Sequence, residues 1–161
     1  MRGRKVRDVY TRVYETRNTV FSDQTGAFPR RSRSGNKYIT VIVEIDSNAI
    51  LVKPIKSRKD AELTRAYKSL MTRLGRTGIV PLKHILDNEV SEAMKEVIRD
   101  KYKMTPELAP PGCHRRNAAE VAICNFKAHF LRTLAGVADN FPMQLWDKLL
   151  PQAEITVNLI R

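Results

Sequence analysis

Runs rich in hydrophobic and β-branched residues in the first third of the chain predict β-strands. Tyr38–Ile45 is rich in β-branched residues and ends at the turn residues Asp46-Ser47-Asn48, after which Ala49–Ile55 continues as a second strand. A shorter run, Thr19–Phe21, precedes them. These three segments predict consecutive antiparallel strands. Between the first two, the glycine, proline and Arg-Ser residues of 26–35 predict a mobile loop.

From residue 57 onward the apolar residues mostly follow the helical period. Ser57-Arg58-Lys59-Asp60 has the form of a capping box and predicts the start of a first helix. Ser91 is the predicted start of a second helix, and a long third helix begins near His114. Pro142 suits the first position of a last helix, which Pro151 should kink.

Two short runs between these helices, Leu82–Leu86 and Thr105–Ala109, predict further strands. The order is then βββαβαβαα, a strand meander followed by alternating strands and helices. This order implies an α/β fold with a mixed five-stranded sheet flanked by helices. A chain of 161 residues suits one domain. We assign residues 1–18 to a basic N-terminal arm and residues 19–161 to the folded core.

The charge balance points to a polyanionic partner. Lysine and arginine number 29 against 17 acidic residues, which gives a net charge of +12. Residues 1–37 alone hold ten basic and three acidic residues. Nucleic acid is the partner that such an excess favours, and a basic but inert surface is the alternative. The sequence has no long apolar run, so we expect no membrane partner. Cys113 and Cys124 form no CxxC pair, and we expect a reducing compartment.

Three acidic residues occupy positions that such a sheet could bring together. Asp23 lies near the end of the first strand, Asp87 directly follows the fourth, and Glu120 lies in the first turns of the long helix. Carboxylates of this kind hold Mg²⁺, and two ions can stabilise the attacking and leaving oxygens of phosphoryl transfer. From periodicity alone, three unconnected surface acids are the favoured interpretation, because 17 acidic residues offer many triplets. Asp46 is the second choice as a ligand, and we expect Glu89 to be solvated.

Several segments resemble the integrase core of long-terminal-repeat retrotransposons of the copia type, within the retroviral integrase superfamily. The resemblance spans about residues 20–161, in the order found in that family. The matching segments are SDQTGAFP, GNKYITVIVEIDSNAILVKPIKS, LDNE, PPGCHRRNAAEVAI and LWDKLLPQAEITVNLIR. It implies an RNase H-like fold in which Asp23, Asp87 and Glu120 are the catalytic ligands of two Mg²⁺ or Mn²⁺ ions. The 32 residues between Asp87 and Glu120 are slightly fewer than is usual in retroviral integrases.

The resemblance also implies contacts with DNA. Lys127 lies on the same helical face as Glu120, seven residues further along, and Arg115, Arg116 and Asn117 match the family's loop before the glutamate. Solvated helix charges are the alternative for these residues. The sequence departs from the family at two positions, Val121 and Cys124, where basic residues are common. Both departures should weaken phosphate contacts.

The implied function is DNA integration by a metal-dependent polynucleotidyl transferase that processes DNA 3′ ends and joins them to target DNA. An inactive relic that binds nucleic acid and an RNase H-like nuclease acting on RNA–DNA hybrids are the alternatives. The expected partner is DNA, in the nucleus and in cytoplasmic particles. We expect the chain to be a core without the family's zinc and C-terminal domains. A homodimer or higher oligomer could use the last helix, with Trp146 and Leu150, unless that stripe faces the core.

Overall fold

The computed structural model describes residues 17–86, 90–108 and 114–160, with only the backbone described for residues 114–119. Most of residues 1–18, the predicted arm, therefore lie outside it, and the arm stays a prediction. The strands are β1 Thr19–Gln24, β2 Tyr38–Glu44, β3 Ala49–Ile55, β4 Lys83–Leu86 and β5 Thr105–Leu108. The helices are α1 Asp60–Gly75, α2 Glu92–Glu96 with a π-helical turn Val97–Lys101, α3 His114–Ala135, a 3₁₀ helix Met143–Leu149 and α4 Leu150–Leu159.

The five strands form one mixed sheet in the order β3-β2-β1-β4-β5. β1, β2 and β3 are antiparallel neighbours, as their short connections predict. β4 pairs in parallel with β1, and β5 pairs in parallel with β4. Helical crossovers connect these parallel strands, as parallel pairing requires. The predicted mixed five-stranded sheet and the order of its elements are confirmed.

Each face of the sheet buries its own core, because successive side chains of a strand point to opposite faces. On one face, Val41 and Val43 pack with Phe126 and Phe130 of α3 and with Trp146. On the other face, the residues of β1, β2 and β4 pack against α1 and the segment after α2; these residues are Val20, Ile42 and Leu86, with Tyr67, Leu70, Met71 and Leu74. Asp23 and its neighbours lie at one end of this two-sided core.

The exposed edge of the sheet, β3, is covered by side chains of α4. Glu154 accepts a hydrogen bond from the Val52 amide at 2.7 Å, and Asn158 accepts one from the Ile50 amide at 2.8 Å. Asn158 also donates to the Ile50 carbonyl at 2.7 Å. Arg73 of α1 forms an ion pair with Glu154. These contacts satisfy backbone groups that an open edge would offer to another chain.

The first helix starts two residues later than the capping box predicts, because Lys59 rather than Ser57 is the N-cap. It begins at Asp60, and the preceding Lys59 is extended. Arg58 donates to the Thr25 carbonyl at 2.6 Å and lies over the Tyr38 ring, so this segment stays extended along the sheet. By contrast, Ser91 caps α2 as predicted, accepting from the Met94 amide at 3.3 Å.

The predicted last helix is two helices. A 3₁₀ helix runs to Leu149, and α4 begins at Leu150 with Pro151 in its first turn. Proline is tolerated there because the first turn's amides have no partner within the helix. Leu150 and Val157 are buried, whereas Ile160 lies beyond the end of α4 and is exposed. Within the described ranges, no helix is both long enough and apolar enough to cross a bilayer.

The loop between β1 and β2 is tied to the fold, which corrects the prediction that it is mobile. Backbone hydrogen bonds continue the hairpin beyond the strands, from Phe28 to Lys37 at 2.8 Å and from Ser32 to Asn36 at 2.8 Å. At its tip, the turn ends at Gly35, whose φ of +87° favours glycine. The turn residues could be predicted from the sequence, but the hydrogen bonds that continue the hairpin through this loop could not.

Candidate catalytic site

Asp23 lies near the carboxyl end of β1, opposite Val41 of β2. Directly opposite residues of an antiparallel pair point to the same face of the sheet. Since Val41 packs against α3, the Asp23 side chain lies on the α3 face. It is half-buried, and one carboxylate oxygen accepts a hydrogen bond from the Gln24 amide at 2.7 Å.

The end of β4 lies at the same edge of the sheet. β4 runs parallel to β1 in the register Phe21 to Ile85, so both carboxyl ends point the same way. Leu86 is the last residue of β4. Asp87 follows it directly in the sequence but lies outside the described residues, as does Glu89. Leu86 and Val90, which flank that segment, line the same cleft as Asp23.

This cleft has a volume of about 220 Å³ and a wall of mixed polar and apolar residues. Arg58 and Asp60 contribute charges at its rim, and Ser22 and Thr40 contribute hydroxyls. In the part of the chain that the structure describes, the buried Thr40 hydroxyl has no hydrogen-bond partner. Because Leu63 and Tyr67 of α1 also line it, the cleft opens on the α1 face of the sheet, opposite the face that carries the Asp23 side chain. It can accept water or a polar group at the end of β1.

A buried polar network supports the end of β1. The His84 ring contacts the Tyr67 hydroxyl through Nδ1 and the Ser22 hydroxyl through Nε2, both at 2.8 Å. Burial lowers the pKa of His84 to about 3 and raises that of Tyr67, so both are neutral at pH 7. The network joins β4 and α1 to the residue next to Asp23. Sequence reasoning missed it; the only signal was one histidine within an apolar strand.

Glu120 lies on α3, which packs against the sheet face that carries Asp23. Glu120 is exposed to solvent and also interacts with another group of the protein. Glu120 is not among the residues that line the cleft. Among the described residues, no three histidine, cysteine, aspartate or glutamate side chains gather closely enough to hold a metal ion. The third predicted ligand, Asp87, lies outside the described residues.

The donor chemistry of the predicted ligands fits a hard divalent cation. Asp23 and Glu120 supply only carboxylate oxygens, which Mg²⁺ and Mn²⁺ prefer. Both residues lie on the same side of the sheet, and both reach solvent. An ion with several water ligands could therefore approach them.

Asp46, the second choice as a ligand, lies at the other end of the sheet. Its carboxylate accepts a hydrogen bond from the Asn18 amide at 2.6 Å, just before β1 begins. The Ile45 amide donates to the Thr19 carbonyl at 3.1 Å, which fixes this hairpin beside the start of β1. Asp23 lies four residues further along an extended strand, roughly 13 Å away. Asp46 therefore caps local structure and cannot share an ion with Asp23.

The predicted DNA contacts lie on or beside one flank of α3. Lys127 is half-buried, and Cys124, on the same flank as Glu120, is exposed. Arg115, Arg116 and Asn117 belong to the first turns of α3, so they form a charged helix start rather than a loop. Their side chains lie outside the described part of the structure. Cys113 also lies outside it.

Comparison with known proteins relates the chain to integrases by structure. No protein-family model and no curated protein sequence matches it. A chain of the simian T-cell lymphotropic virus intasome, in complex with PP2A regulatory subunit B56 gamma, superposes with a TM-score of 0.72 at 17% identity. That match covers 100% of this chain and 55% of the other, so the chain spans about half of that relative.

Two isolated catalytic cores match over most of both chains. The BIV integrase core has a TM-score of 0.66 at 15% identity, covering 89% of this chain and 85% of that one. The HTLV-2 integrase core in complex with magnesium, in its dimeric form, has a TM-score of 0.66 at 20% identity, covering 89% and 87%. At these identities the likeness concerns the fold. The chain thus has the RNase H-like fold of retroviral integrase catalytic cores.

Proposed function

We propose that this chain is the catalytic core of an integrase from a copia-like long-terminal-repeat retrotransposon. It would act as a metal-dependent polynucleotidyl transferase that processes DNA 3′ ends and joins them to target DNA. One observation carries the proposal. Asp23 lies at the end of the sheet where the parallel strand β4 also ends, and Asp87 directly follows β4 in the sequence. Glu120 lies on the helix that packs against the same face as Asp23.

In this proposal Asp23, Asp87 and Glu120 hold two Mg²⁺ or Mn²⁺ ions. The ions, when bound, activate the attacking oxygen and stabilise charge on the leaving oxygen. The protein's own part is positioning. The Tyr67–His84–Ser22 network holds the β1 backbone beside Asp23, so that carboxylate stays at the sheet edge. Three carboxylates near one another also repel, which favours cation binding.

DNA is the proposed partner, and phosphate groups are the proposed contacts of Lys127, Arg115, Arg116 and Asn117. The HTLV-2 core was solved with magnesium in trimeric and dimeric forms, which supports both a divalent ion and a homo-oligomer here. We place the protein in the nucleus, where target DNA lies, and in cytoplasmic particles.

A second candidate is an inactive relic that binds nucleic acid. One observation favours it. Val121 and Cys124 are exposed on α3 next to Glu120, where basic residues would meet a DNA end. Neither side chain can neutralise a phosphate.

A branched DNA substrate tests the proposal. We expect the chain to cleave and rejoin the branch with Mg²⁺ or Mn²⁺ and to lose this activity when the metal is chelated. An RNA–DNA hybrid in parallel reactions tests the nuclease alternative. Cleavage of the hybrid without DNA joining would overturn the proposal in favour of a ribonuclease. DNA binding without any metal-dependent reaction would favour the relic.

A further inference from the structure

A strongly basic surface lies at the end of the sheet where the central strand, β1, has its carboxyl end. Two segments that are distant in the sequence form it: the β1–β2 loop, residues 25–37, and the turn after β3, residues 56–59. We call it the loop–turn surface. Its basic residues are Arg30, Arg31, Arg33, Lys37, Lys56, Arg58 and Lys59. All except the half-buried Lys37 are exposed.

Direct contacts hold the two segments together. Arg31 donates to the Gly35 carbonyl at 2.7 Å and to the Lys56 carbonyl at 3.4 Å. The Lys37 amide donates to the Ile55 carbonyl at 2.9 Å. The Lys56 side chain passes over Gly35. The positive charges are therefore brought together by the fold, and the sequence alone did not show their proximity.

Nearby acidic residues leave most of this charge uncompensated. Glu62 forms an ion pair with Arg65 at 2.8 Å and accepts from the Lys56 amide at 3.1 Å. Asp147 lies buried beneath the loop, where it accepts hydrogen bonds from Ser32 and Asn36 at 2.9 and 2.8 Å. Asp60 is the remaining acidic residue beside the turn. The surface thus presents a net positive charge to solvent.

The loop's backbone is anchored from below. The Trp146 indole donates a hydrogen bond to the Arg30 carbonyl at 3.0 Å. The Phe28 ring stacks on the Trp146 indole, with ring centroids 4.4 Å apart. The Arg33 amide donates to the Gln144 carbonyl at 2.7 Å. These contacts hold the arginines on ordered backbone while their side chains remain exposed. A preorganised cationic surface loses less conformational entropy when it binds a ligand.

We propose that the loop–turn surface binds the phosphate backbone of duplex DNA. Guanidinium groups suit phosphate recognition, and a row of them matches the dense, regular charge of a duplex. The surface adjoins the candidate catalytic site: Arg58 contacts the carbonyl of Thr25, two residues after Asp23, and both Arg58 and Asp23 line the cleft. This inference rests on the proposed function, since it identifies where DNA passes the metal ligands.

The test compares two double variants that remove equal charge. Arg30→Gln/Arg33→Gln changes two exposed side chains of the surface and leaves the backbone contacts of Trp146 and Gln144 in place. Arg76→Gln/Arg99→Gln changes two exposed arginines at the end of α1 and after α2. Duplex DNA binding is measured by fluorescence anisotropy over a salt series with EDTA, and thermal unfolding confirms that both variants fold.

The wild-type plot of log affinity against log salt should be linear. Arg30→Gln/Arg33→Gln should reduce its slope by about 1.8, at roughly 0.9 per lost phosphate contact, and Arg76→Gln/Arg99→Gln should leave it unchanged. An unchanged slope in the first variant, or the same reduction in both, would overturn the inference. Loss of binding to poly-glutamate without loss of DNA binding would overturn it in favour of an acidic protein partner.

The binding measurement needs no metal, so it is independent of catalysis. If the wild-type chain joined DNA but Arg30→Gln/Arg33→Gln bound DNA normally, only the surface would be wrong. If the variant bound DNA weakly and the wild type were inactive, only the catalytic proposal would fail.

Discussion

At the scale of single residues, the surroundings of an acidic side chain decide what it can do. Asp23 and Asp46 are both near the ends of strands in the sequence. In the fold, Asp46 caps the start of β1 by accepting from the Asn18 amide, whereas Asp23 lies at the opposite end beside β4. Turn propensity predicted the local hydrogen-bonding role of Asp46 correctly. Only the strand pairing shows that Asp46 and Asp23 lie beside opposite ends of β1.

The buried His84 should make stability depend on pH. Its pKa is lowered to about 3 in the fold, against about 6.5 in the unfolded chain. Below pH 6.5 the His84 ring therefore binds a proton in the unfolded state but remains neutral in the native state. The free energy of unfolding should fall by about 1.4 kcal/mol per pH unit between roughly pH 6 and pH 4 from this group alone, and this contribution should be constant above pH 7.

Urea unfolding of wild type and His84→Gln at pH 4.5, 5.5 and 7.5 isolates this contribution from that of the carboxylates. The free energy of unfolding of the wild type should exceed that of His84→Gln by the largest amount at pH 7.5, and this difference should decrease toward pH 4.5. A pH-independent difference between the two proteins would show that His84 is not held neutral by burial.

Residue-level prediction from sequence succeeded where residue type and position were enough. The location of Asp23 near the end of a strand and of Glu120 in the first turns of a helix could be predicted from apolar periodicity. Their selection as ligands rested on the family resemblance and stays a prediction. The hydroxyls of Ser22 and Tyr67 could not be linked to His84, because their partners are 62 and 17 residues away in the chain. Contacts of this kind depend on the register of β1 and β4.

At the scale of elements, α4 protects the edge of the sheet. Glu154→Ala should lower the free energy of unfolding by about 2–3 kcal/mol, because it leaves the Val52 amide unsatisfied and Arg73 without its partner. Gln152→Ala, on the exposed side of α4, should change stability by less than about 0.5 kcal/mol. Chemical denaturation measures both, and equal effects would contradict the protective role of Glu154.

The anchored loop gives a second prediction at this scale. Burial would raise the pKa of Asp147, but hydrogen bonds from Asn36 and Ser32 outweigh it and keep the pKa low. The anchor is therefore a carboxylate at pH 7. Asp147→Ala leaves both partners buried without it, so the loop should open and its amides should exchange faster with deuterium.

The same variant should weaken duplex DNA binding, although it makes the protein more positive by one charge. Loss of the loop's fixed geometry would outweigh that gain. Tighter binding by Asp147→Ala would show that net charge, rather than loop geometry, governs DNA affinity. Lys148→Ala, which removes an exposed neighbouring charge, is the control for a change in the field alone.

Element types were predictable because hydrophobic periodicity differs between strands and helices. The boundaries that failed were those set by tertiary contacts. Arg58 keeps the residues before α1 extended, and the break between the 3₁₀ helix and α4 occurs where Trp146 and Leu150 both enter the core.

At the scale of the whole molecule, two layers of helices enclose one mixed sheet, and this architecture restricts self-association. Trp146 and Leu150 are each only 2% exposed, so the predicted dimer surface is part of the core instead. The alternative that this stripe faces the core is confirmed. A homo-oligomer remains our proposal, and sedimentation velocity over a concentration series should show a species heavier than 18.4 kDa. A single monomeric species at all concentrations would contradict it.

The proposed function depends above all on Asp23, which should hold a catalytic metal ion at the carboxyl end of β1. The most direct measurement compares Asp23→Asn with Asp46→Asn in Mg²⁺- or Mn²⁺-dependent joining of a branched DNA. The substitutions are chemically identical, but Asp23 lies near the carboxyl end of β1, whereas Asp46 lies in the turn between β2 and β3, beside the start of β1. Asp23→Asn should fall below about 1% of the wild-type rate, because one ligand of the metal site is lost. Asp46→Asn should remain close to wild type. Retained activity in Asp23→Asn, or an equal loss in both variants, would contradict the account.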